Sequence, residues 1–126
     1  MPRKTVALLL VVAAFALLSL VFGASYLETM LPGGLPVGNA LTSVGLCAAA
    51  GAAIGLSARR TALRLVSVAA LIGAVAWLPV SVALAGNLTL NFHGSHGAAW
   101  MALSVVIAAT VLCALTWALI ARSLAQ

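Results

Sequence analysis

The stretch Arg59-Arg60-Thr61-Ala62-Leu63-Arg64 holds half of the chain's six basic residues and lies between two long apolar runs. The other three, Arg3, Lys4 and Arg122, lie near the two ends, so every positive charge falls at a terminus or at this central junction. Short segments rich in Lys and Arg resist translocation, which predicts that all three places share the cytoplasmic side of a membrane. A chain whose middle and both ends lie on one side must cross an even number of times in each half. Two helices before the junction and two after it satisfy that condition.

The apolar runs outward from the junction agree. Helices are predicted over about residues 5–23, 38–57, 61–86 and 97–121, each close to the ~20 residues that span the hydrocarbon layer. With 126 residues, 65% hydrophobic and 6% charged, the chain cannot cover a soluble core with polar surface. The expected fold is therefore an all-α integral membrane protein. It forms one domain over 1–126, an up-down bundle of four transmembrane helices with both termini cytoplasmic. The alanine-rich composition suggests a bacterial, inner-membrane setting. Residues 5–23 could instead be a signal peptide ending at Gly23-Ala24-Ser25, but the uninterrupted run exceeds the usual apolar segment, so a retained helix is expected.

A net charge of +5 would point to nucleic acid in a soluble domain. Here no aromatic or glycine signature of an RNA-binding module accompanies it, and no nucleic-acid partner is expected. The basic residues read instead as topology signals and as contacts for anionic lipid headgroups. Arg59, Arg60 and Arg64 carry that role at the junction, with Arg60 and Arg64 one turn apart on a shared helix face. Cys47 and Cys113 lie inside apolar runs, unlike the paired loop cysteines of a secreted disulfide scaffold.

Within the second run, Gly51-Ala52-Ala53-Ile54-Gly55 is a GxxxG, and Gly45 with Ala49 extends the row of small residues. Such rows let helix backbones approach closely. Internal packing of Gly45, Gly51 and Gly55 is expected ahead of a homodimer face. In the third run Pro79 removes a backbone donor and predicts a bend. Trp77, too deep for the headgroup belt, needs a buried acceptor, for which a carbonyl loosened by that bend is the candidate. Trp100 and Trp117 are placed as anchors at the outer and inner interfaces, and Tyr26 suits the outer one.

Two outer loops remain. The first, 24–37, contains Tyr26, Glu28, Met30 and the turn-rich Leu31-Pro32-Gly33-Gly34-Leu35-Pro36, and reads as a short ordered connection or as a hairpin-like docking loop. The second, 87–97, carries His93 and His96. Together with Glu28 and Met30 these histidines form the one conceivable ligand set for copper or zinc. The plainer reading has them solvating the start of the fourth helix with Ser95 as its N-cap, and it is preferred because no fixed spacing assembles the set.

The predicted spans have no Asp, Glu, Lys or His in their interiors. Proton relays, ion-coupled antiporters and voltage sensors need ionisable groups there, and b-type haem needs axial histidines. Small four-helix multidrug exporters carry a membrane-embedded Glu in the first helix, which is purely apolar here apart from Ser19. One acidic residue in the whole chain excludes catalysis by paired carboxylates, so no enzyme and no cofactor is expected. The leading expectation is a membrane protein acting by association, through a protein partner as an accessory subunit or with itself. A passive pore or small-solute transporter and an outer-face metal-binding protein are the alternatives.

Overall fold

Proline and glycine set most of the helix boundaries. In the computed structural model, which describes residues 2–57, 61–87 and 92–124, Pro2 and Pro36 precede the first two helices, α1 (Arg3–Val21) and α2 (Val37–Leu56). α3 (Ala62–Ala85) starts where the Thr61 hydroxyl accepts the Arg64 N–H at 3.2 Å, a side-chain cap for one of the helix's unpaired donors. It ends at Gly86, whose left-handed φ of 78° suits a residue without a Cβ. The helix continues through Pro79. A single 3-10 turn, Ser25–Glu28, follows α1. All four α-helices are long and apolar enough to cross a membrane.

α4 (Gly94–Leu124) has 31 residues and begins three positions before the predicted start. Its length is about 46 Å, well beyond a hydrocarbon layer of about 30 Å. Polarity in the sequence marks where a chain leaves the apolar layer, whereas helical hydrogen bonding continues into water until something stops it. Ser95 accordingly lies inside the first turn of α4 and is not its N-cap.

The four helices do not form a square. α2 is central and packs against α1, α3 and α4, while α3 and α4 also pack on each other and α1 rests almost entirely on α2. A helix enclosed on three sides must be thin on three sides. The buried residues of α2 are Gly45, Ala48, Ala49, Ala50, Ala52 and Ala53. α3 and α4 meet along a seam that steps alternately by four and three residues. Leu63, Ser67, Ala70, Ala74, Trp77 and Ser81 face Trp100, Ser104, Ile107, Val111, Ala114 and Ala118 in antiparallel register. That stepping is the a/d pattern of paired helices.

The size pattern is inverted relative to a soluble core. Alanine, glycine and serine supply most of the buried positions, with Trp77 at 2% exposed the largest buried side chain, whereas Leu65, Val11, Ile72 and Val106 are 74%, 65%, 65% and 63% exposed. Exposed leucines in water are costly; in lipid, which is as apolar as leucine, close backbone approach would decide what goes inside. Helices consecutive in the chain run antiparallel, which brings Arg3, Lys4, Arg64 and Arg122 to one end of the bundle and Glu28 to the other. Arg59 and Arg60 lie outside the described residues.

Candidate functional site

Two side-chain hydrogen bonds join α3 to α4. The indole Nε1 of Trp77 donates to the Ser104 hydroxyl at 2.9 Å, and that of Trp100 donates to the Ser81 hydroxyl at 3.1 Å. Each helix therefore contributes one Trp-x-x-x-Ser, and antiparallel packing makes each tryptophan meet the other helix's serine. Ser81 in turn donates to the Trp77 carbonyl at 2.6 Å. The acceptor for Trp77 is thus a hydroxyl on the facing helix, not a carbonyl freed by Pro79. Outside the clasp, the Phe92 ring stacks on Trp100 with centroids 4.6 Å apart. Trp100 is drawn into the helix pair and is half-buried, whereas Trp117 remains 48% exposed. Sequence reading did not pick out the repeated Trp-x-x-x-Ser at 77–81 and 100–104, whose reciprocal pairing depends on the helix register.

The α1/α2 contact has a different chemistry. A Cβ placed on Gly45 would lie 2.7 Å from the Ala16 Cβ, so glycine is what lets these helices approach. At Gly51 the nearest neighbour is Leu9 Cδ1 at 3.4 Å, and Gly55 is half-buried. Beyond the end of α1, Tyr26 turns back along the helix. Its hydroxyl donates to buried Ser19, and its ring stacks on Phe15 with centroids 6.5 Å apart. The rest of that loop is an ordered hairpin. Leu31 N–H meets Leu35 O at 2.7 Å, Val37 N–H meets Thr29 O at 2.8 Å, and Gly33 and Gly34 take φ of 98° and 90° at the turn, angles that favour glycine.

His93 and His96 are exposed at the start of α4, and Glu28 is exposed in the 3-10 turn. Among the described residues no three of His, Cys, Asp and Glu come together, so Glu28 does not complete a set with the two histidines. Cys47 is a half-buried free thiol and Cys113 an exposed one. At the junction, Arg64 is half-buried.

A concave feature lies beside α1. Because α1 rests on α2 and does not close against α4, a cleft of about 490 Å³ opens between them. Its walls include Leu10, Leu17 and Leu20 of α1 and Leu112 and Leu115 of α4, and Gly45 forms part of its floor. The hydroxyl that lines it, Thr42, is engaged by the Gly38 carbonyl at 2.7 Å. Sequence reading did not locate this cleft, since every face of α1 is equally apolar. No protein family, curated protein or solved structure matches the chain.

Proposed function

We propose that the chain is a multi-pass protein of a bacterial inner membrane, with both termini cytoplasmic, and that it acts by association as an accessory or assembly subunit or as a homo-oligomer. The end of the bundle bearing Arg3, Lys4, Arg64 and Arg122 faces the cytoplasm on this reading.

The observation that favours association over a pore is the fate of the helices' hydroxyls. Ser67 donates to Leu63 O, Ser81 to Trp77 O and Thr110 to Val106 O, while Ser104 accepts from Trp77. Among the described residues, no buried side-chain nitrogen or oxygen lacks a partner. A solute path needs polar groups turned toward it. Among the described residues these hydroxyls are turned to carbonyls or to Trp77 instead, and the many exposed Leu, Val and Ile side chains suit packing against lipid or another apolar helix.

Purification in mild detergent tests the reading. A partner held at fixed ratio, or a defined homo-oligomer that passes no solute in liposomes, is the expected result. A lone monomer, or a species that conducts small solutes, overturns it. A phosphatase fused after Gln126 should be inactive; activity there would sink the orientation.

A further inference from the structure

We draw no further inference here: the strongest candidate, the exposed face of α3 at Ile72, Val75 and Pro79, where the proline offers the Val75 carbonyl no helix donor, is an unpartnered apolar face, and nothing in the structure shows what covers it.

Discussion

The two hairpins of this bundle are held by different physics. α3 and α4 share a full a/d seam that includes Trp77, Ile107 and Val111, closed by two reciprocal indole-to-hydroxyl bonds. α1 and α2 share a close approach at Gly45 and Ala16, and the tie from Tyr26 to Ser19 stays within the α1 end and its own loop. Where large side chains interlock and donors have partners across the seam, the helices are specified by shape and by hydrogen bonding. Where they meet through small residues, only dispersion at short range holds them, and that contact is lost with a small displacement. α1 has one main helix neighbour, α2, and the cleft beside it follows from that.

The same substitution in each hairpin should break the symmetry most clearly. Gly45→Ala introduces a Cβ 2.7 Å from another Cβ, an overpacked contact that typically costs about 1–3 kcal/mol. It should lower the unfolding midpoint in detergent and increase the accessibility of a cysteine introduced on α1. Gly45→Leu should exceed it. A Gly45→Ala variant as stable as the parent would mean that the α1 contact does not depend on close approach.

A smaller effect is expected at the clasp. Ser104→Ala leaves the Trp77 N–H without its acceptor, and interhelical hydrogen bonds in membranes average about 0.6 kcal/mol with a maximum near 1.7. The double change Trp77→Phe with Ser104→Ala should cost less than the sum of the two single changes, because the one hydrogen bond they share is lost only once. An additive double variant would argue that the two residues do not interact.

The smallest effect sharpens the contrast. Gly73 on α3 faces Ile107 with room for a Cβ, its nearest atom being at 3.6 Å. Gly73→Ala should be neutral or stabilising by up to about 1 kcal/mol through helix propensity alone. Opposite signs for Gly45→Ala and Gly73→Ala, read from the same unfolding experiment, are the signature of the two kinds of seam.

Four helices, their approximate ends at Pro36 and Gly86, and the gathering of basic residues at termini and junction were all legible in the residues alone. Run length, proline and glycine, and charge placement are local properties. Which face of each helix points inward was not legible, because each helix is apolar all round and hydrophobicity marks an inner face only where the outer one is polar. Here side-chain size marks it instead, and size becomes informative only once a neighbour is in place. The sequence therefore determined that Gly45, Gly51 and Gly55 could each admit a close neighbour and that Trp77 needed an acceptor. The tertiary structure decided that Gly45 meets Ala16, that Ser104 receives Trp77, and that α1 stands apart from α4. Those outcomes depend on the relative register of helices far apart in the chain, which no local pattern of apolar residues encodes.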